Sequence, residues 1–258
     1  MQKKRLIACF DVINGRLTKA LKFQDNIDVS GAEEMAKAMS EAQIDEIIFF
    51  DVTASAEKRP IDIETVKKVA KNVTVPLTVG GGIKTLEDME NTLKAGANKI
   101  SIDSMAVRNP QLISDAVKTF GTKCILLSTQ VQKTKNKPSG YEVYIDGART
   151  ATGFDAIEWI KRGQDLGAGE ICINSIDNDG TMQGYDIPLM KLADEAVSMP
   201  LIASGGAGTP EHLKEIFTET KAEAAIISSM LYSPRAERNY TVVELKKYLI
   251  ANGINCLV

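Results

Sequence analysis

The chain has 258 residues, of which 44% are apolar and 25% charged, with a formal net charge of −3. That is ordinary for a globular protein with a sizeable core, and it carries no polycationic footprint for nucleic acid. No apolar run approaches the roughly 18 residues of a spanning helix, and "MQKKRLIACF" has no cleavage-site pattern, so a cytoplasmic protein with no membrane and no nucleic-acid partner is expected.

In chain order, eight short apolar, β-branched runs read as strands: Leu6 to Asp11, Glu46 to Asp51, Leu77 to Gly81, Lys99 to Asp103, Cys124 to Gln130, Glu170 to Asp177, Leu201 to Ser204 and Ala224 to Ser229. Amphipathic segments of helical period lie between them, among them "GAEEMAKAMSEAQ", "IETVKKVAKNV", "TLEDMENTLKAG" and "FDAIEWIKRGQDLGAG". Several close on a glycine that caps a helix. Eight βα units in a chain of this length predict an α/β fold, a single (β/α)8 TIM barrel over residues 1–258. A doubly wound open sheet is the alternative. The segment "VQKTKNKPSGYEVYIDGART" breaks the rhythm and reads as a long loop or hairpin after the fifth strand.

The chain also repeats itself at half its length. "LTVGGGI" at Leu77 recurs as "LIASGGAG" at Leu201, and "KISIDSMAVRNP" at Lys99 recurs as "AAIISSMLYSPRA" at Ala224. Two half-barrels, residues 1–121 and 122–258 in round terms, explain the period without a linker.

In such a barrel the site forms at the carboxyl ends of the strands. Glycine pairs at the third and seventh strands, followed by serines near helix N-termini, read as two phosphate cradles. One is Gly81, Gly82 and Ser104, and the other is Gly205, Gly206, Ser228 and Ser229. Two cradles imply a long substrate with a phosphate at each end. Between them fall Asp11, Lys19, Asp51, Gln130, Asn174, Asp177, Asp179 and Ser204. Asp11 is the general acid/base candidate, whereas a strand-end carboxylate such as Asp51 is as often a helix cap. Asp103 beside a phosphate is a discordant note, because a carboxylate there repels.

Neither a metal nor a cofactor is expected. "DNDGT" lacks the ligand spacing of a calcium loop, and a lone histidine, His212, leaves no basis for a histidine triad or zinc site. Cys9, Cys124, Cys172 and Cys256 have no CxxC spacing and read as core thiols. At the opposite strand ends stand Arg5, Glu46, Lys99 and Glu170. Counting by twos puts Arg5 on the face of Asp11, Lys99 on that of Asp103 and Glu170 on that of Asn174; four inward charges would make a paired ring across the barrel floor or a purely structural salt-bridge cluster.

The stretches "IACFDVINGR", "DEIIFFDVTAS", "TVGGGI", "GANKIS", "YEVYIDGARTATGFDAIEW", "GAGEI", "SIDNDGTMQGYD" and "IASGGAG" resemble the HisF family, the cyclase subunit of imidazole glycerol phosphate synthase, over essentially the whole chain. The isomerase HisA is that family's nearest relative. The resemblance implies a glutaminase subunit of HisH type docked on the N-terminal face of the barrel. Ammonia made there would pass through the barrel to the bisphosphorylated ribotide PRFAR, giving imidazole glycerol phosphate and AICAR. It further implies that Arg5, Glu46, Lys99 and Glu170 are the ammonia gate, that Asp11 is one catalytic aspartate, and that Lys19 is the lysine of the first loop. Asp103, Asn174, Asp179, Gly180 and Ser204 would join the two cradles in holding substrate.

Gln130 falls where the family places its second catalytic aspartate, and an amide has no accessible pKa for proton transfer. Around it "STQVQ" replaces a family pattern like "AIDAK", Asp103 replaces Asn, Asn174 replaces Thr, and "KALKFQDNIDVSGAE" lacks the family's Lys-Gly start and Gly-Asp-Pro end. Three readings follow: a working cyclase with a compensated site, a diverged paralogue serving another amidotransfer reaction, and a non-catalytic scaffold that docks a glutaminase.

Overall fold

A computed structural model describes residues 3–22, 24–54, 57 and 59–256, at 24–26 the backbone alone. The first half runs β1 (Arg5–Ile13), β2 (Arg16–Leu21), β3 (Gln24–Gly31), α1 (Ala32–Glu41), β4 (Glu46–Asp51), α2 (Ile63–Lys71), β5 (Leu77–Gly80), α3 (Leu86–Lys94), β6 (Lys99–Ile102), α4 (Ser104–Arg108) and α5 (Gln111–Phe120). The second half continues with β7 (Ile125–Lys133), β8 (Tyr141–Ile145), β9 (Thr150–Asp155), α6 (Ala156–Asp165), β10 (Glu170–Ser175), α7 (Ile187–Ala196), β11 (Leu201–Ser204), α8 (Pro210–Glu219), β12 (Ala224–Ile226), α9 (Ser228–Tyr232) and α10 (Val242–Ala251).

Eight strands close into a parallel barrel in the order β1, β4, β5, β6, β7, β10, β11, β12, with β12 returning to β1. Fold class and barrel closure are therefore as expected. Helix boundaries follow local chemistry. Asp62 accepts the Thr65 N–H to start α2, Thr85 and Asp88 form a reciprocal capping box on α3, and Asp155 caps α6. Gly96 and Gly167 end α3 and α6 at φ of +113° and +93°, which a side chain would resist.

Side chains alternate across the strands, and the two faces separate into two cores. Outward residues such as Leu6, Ala8, Phe10, Ile47 and Phe49 join the large cluster beneath the helices. Inward residues Ile7, Ile48, Leu126, Cys172, Ile202 and Ala224 form a small apolar plug inside the barrel. The plug separates a charged floor from a polar mouth.

The structure differs from the expected elements at the strand ends and in the first loop, and β1 and β7 run on past Asp11 and Gln130 to Ile13 and Lys133 because each continues into an antiparallel hairpin partner. Four strands stop short of their expected ends, at Gly80, Ile102, Ser175 and Ile226, so that Gly81, Asp103, Asp177, Ser228 and Ser229 lie beyond the sheet. Ser104 and Ser228 instead open one-turn helices. The first loop also contains a hairpin. β1 turns back into β2 through Asn14 and Gly15, at φ of +49° and +73°, with Ile13 opposite Arg16. Two consecutive left-handed residues, Asn then Gly, are the signature of a tight two-residue turn. The expected hairpin after the fifth strand is β8 and β9, pairing back on β7 with Gln130 opposite Tyr144. Of the first-loop motif, Phe23 and the side chains of residues 24–26 lie outside the described residues.

Gly169, just before β10, has its Cα against the backbone of the β7 entry: an added Cβ would stand 2.2 Å from the Thr122 carbonyl oxygen. Gly169→Ala is expected to destabilise the fold by roughly 2–3 kcal/mol. Urea unfolding would show this as a lower midpoint at unchanged slope.

Candidate active site

The two ends of the barrel carry different chemistry, and each is built by the inward positions of the strands. At the floor, Arg5 donates to Glu46 at 2.6 Å and to Glu170, while Lys99 reaches Glu46 at 3.1 Å and Glu170 at 2.7 Å. The ring closes, two cations between two anions. The Thr78 hydroxyl adds a bond to Glu46 at 2.8 Å. Burial opposes the charge on Arg5, but Glu170 and Glu46 more than offset it and raise its pKa.

At the mouth one cavity gathers side chains from all eight strand ends. Asp11, at the top of β1, accepts the Lys19 ammonium at 2.9 Å, and Lys19 also lies 5.4 Å from the centre of the Tyr232 ring. Burial acts against the Lys19 charge, yet Asp11 outweighs it and holds the ammonium well above its ordinary range. Across the cavity Asn174 donates to the Gln130 carbonyl oxygen at 3.0 Å, and the Gln130 amide donates to Asp103 at 3.5 Å. Burial pushes the Asp103 and Asp179 carboxyls up to about 7. Asp179 is raised further by Asp11 and drawn back by Lys19.

The glycine pairs repeat in geometry as they do in sequence. Gly81 and Gly205 both adopt φ of +90°, followed by Gly82 at +72° and Gly206 at +105°. Their freedom is required by the protein itself. A Cβ on Gly81 would lie 2.2 Å from the Asp51 carbonyl oxygen, and one on Gly206 would lie 1.9 Å from that of Gly184. Both turns line the cavity.

Residues 5–237 match the family described as histidine biosynthesis protein. Over 98% of both chains, the sequence is 49% identical to imidazole glycerol phosphate synthase subunit HisF of Desulfosudis oleivorans and, equally, to that of Desulforapulum autotrophicum. The chain belongs to the HisF family of histidine-biosynthesis enzymes. A third relative, the HisF subunit of Desulfatibacillum aliphaticivorans, is 46% identical over 99% of this chain and 98% of its own.

The cavity brings together every residue singled out at the strand ends for substrate or proton transfer in a HisF-like site: Asp11 and Gln130, then Lys19, Asp103, Asn174, Asp179, Gly180 and Ser204, and both cradles. Residues 103, 130 and 174, the three mouth positions expected to differ from the HisF pattern, form one hydrogen-bonded chain. Two serines are already engaged. The Ser228 hydroxyl accepts the Cys9 N–H at 2.7 Å and donates to the Cys9 carbonyl at 2.8 Å, and Ser229 beside it lines the cavity. The Ser104 hydroxyl accepts the Asp146 N–H at 3.0 Å and keeps its own proton to donate.

Two other strand-end carboxylates are engaged by the protein itself. Asp51 is forked by Arg59 at 2.6 and 2.8 Å and accepts the Ala54 N–H, and Asp177 accepts the Lys133 N–H at 2.8 Å. His212 accepts the Gly208 and Thr209 N–H groups at the start of α8. The four cysteines are unpaired, and Cys9 and Cys172 face the barrel interior, where burial lifts the Cys172 thiol to about 12. Among the described residues no helix is long and apolar enough to cross a membrane.

Sequence reasoning missed Arg149, on the β8–β9 turn, which reaches the cavity beside Gly147 and Ser104. A lone arginine in "DGART" was the available signal. It also missed Ser101 and Ser128, one inward position below Asp103 and Gln130, although period-two counting points to them.

The raised Asp179 pKa has a consequence for stability. The folded chain retains a proton that the unfolded chain releases, so Asp179 favours folding fully below about pH 4 and loses that contribution as pH rises toward 7. Asp179→Asn mimics the protonated form. It is expected to match the native chain at pH 4 and to exceed it by roughly 2–4 kcal/mol at pH 8, measured by denaturant unfolding at both pH values.

Proposed function

We propose that this barrel converts PRFAR and ammonia into imidazole glycerol phosphate and AICAR as the HisF-type subunit of a two-subunit synthase. The observation that carries the reading is the pairing of two duplicated glycine turns, one on each side of a cavity, with an Asp11–Lys19 pair between them. Phosphates at both ends of a long ligand suit backbone N–H groups in the two turns, with Ser104 on one side and Ser229 on the other. Arg149 adds a cation at the first. Held at both ends, the substrate lays its reacting carbons over Asp11.

Ammonia must displace the substrate's carbonyl oxygen as water, and the formimino carbon must pass from the AICAR nitrogen to the incoming nitrogen. Asp11, paired with the Lys19 ammonium, is the base that removes a proton from nitrogen as the new bond forms. A phosphate arriving at the mouth competes for Lys19, which then releases Asp11 to act. Gln130 and Asn174 orient hydroxyl or amine groups by hydrogen bonding, and Asp179, Gly180 and Ser204 close the far side.

The opposite face receives a glutaminase subunit of HisH type. The ring of Arg5, Glu46, Lys99 and Glu170 excludes cations from the apolar plug, so neutral ammonia enters and ammonium is turned back.

The test uses purified chain with PRFAR and either excess ammonium or glutamine plus a HisH-type glutaminase, following imidazole glycerol phosphate. Turnover with ammonium is expected, and its absence would overturn the cyclase reading. Asp11→Asn should lower turnover about 10²- to 10⁴-fold with either nitrogen source. Lys99→Met is expected to impair glutamine-driven turnover selectively, and equal loss with ammonium would refute the gate.

A further inference from the structure

We propose that Asp103 is the second proton-transfer group of the site, acting as the acid opposite Asp11, and that Gln130 is its positioning residue. The inference rests on the cyclase reading above.

Asp103 occupies the residue before α4, where an aspartate ordinarily accepts N–H bonds from the first helical turn. Here its carboxyl makes no such bond, in contrast with Asp62, Asp155 and Asp186, which cap α2, α6 and α7. The side chain is instead turned into the cavity that Gln130 and Asn174 share. Its Oδ1 is screened from solvent and has no hydrogen-bond partner, while Oδ2 accepts the Gln130 amide. A buried, unpartnered carboxylate oxygen facing a substrate cavity is costly, and a proton on it removes the cost.

The groups that act on Asp103 leave it able to hold that proton. From the β8–β9 turn Asp146 raises its pKa and from α4 Arg108 lowers it, but these two are paired to each other at 2.6 Å. From β7 comes only the neutral Gln130 amide, and from β10 the Cys172 thiol, itself protonated. Burial dominates and places the carboxyl near 7. Asp11 has the reverse surroundings, with an ammonium at 2.9 Å. Two carboxyls face one cavity, one buried with an unpartnered oxygen and one paired to an ammonium, and they divide the labour of acid and base.

Gln130 is oriented for this by Asn174. The Asn174 amide donates to the Gln130 carbonyl oxygen, which turns the Gln130 amide toward Asp103. The proton balance closes. Asp103 gives a proton to the departing water or AICAR nitrogen as its bond to carbon breaks. Asp11 takes one from the ammonia-derived nitrogen as its bond to carbon forms, and exchange with solvent resets both.

The experiment compares wild type, Asp103→Asn and Gln130→Leu for PRFAR turnover with saturating ammonium between pH 5.5 and 9. Asp103→Asn is expected to lower kcat about 10²- to 10⁴-fold with little change in KM and to abolish the limb near neutrality. A rise in KM alone would make Asp103 a binding residue and overturn the proposal. Gln130→Leu removes a bond that favours the anion, so the same limb should move to higher pH, and a limb that stays in place counts against the positioning role. Infrared titration of the free protein, as wild type minus Asp103→Asn, should reveal a carboxyl changing state near pH 7. One titrating near the ordinary value of about 4 overturns the proposal without any assay of turnover. Wild type inactive with ammonium would defeat the cyclase reading and this inference together. Active wild type matched by Asp103→Asn in kcat and pH profile would defeat this inference alone.

Discussion

Closure of the parallel sheet is the constraint on which everything else in this molecule depends. Once β12 pairs with β1 and β7 pairs with β10, every second residue of eight strands must point at a common axis. The strand from Arg5 to Asp11 then spans the barrel from floor to mouth with Ile7 and Cys9 between them. Charged floor, apolar plug and polar mouth are successive inward layers of the same strands. The floor and the mouth cannot vary independently of the register that aligns them.

Duplication then sets how the mouth is furnished. The two glycine turns share a conformation because each follows an inner strand and must pass a neighbouring backbone too closely for a Cβ. The two halves diverge in what they put between those turns. One places Asp11 against an ammonium, and the other places Gln130 in an amide chain that ends on Asp103. Asymmetric electrostatics on a symmetric scaffold gives the cavity two carboxyls in opposite surroundings.

The first-loop hairpin ties this together. Its antiparallel pairing to β1 carries Lys19 back over Asp11, and the Lys22 N–H donates to the Asp179 carbonyl at 3.1 Å. The segment that supplies the cation for Asp11 is thus anchored to the loop after β10. Asp11 and Lys19 act on Asp179 in opposite directions, and Asp11 sustains the charge on Lys19.

The sequence by itself determined the barrel, since the eight β-branched runs, the helical periods between them and the half-length repeat admit few topologies. It also placed the residues of the mouth, because period-two counting carries Arg5 to Asp11 and Lys99 to Asp103 without coordinates. The Asn-Gly turn after β1 was legible too, but an expected βα loop hid it. Only the tertiary structure decided which strand-end carboxylates are structural: Asp51 meets Arg59 across a loop whose path no local pattern encodes. It alone decided that Ser228 bonds to Cys9, 219 residues away, and that Gln130 reaches Asp103 and Asn174 at once. Hydrogen bonds and burial depend on which side chains the closed barrel brings within about 3 Å, a distance that separation along the chain does not predict.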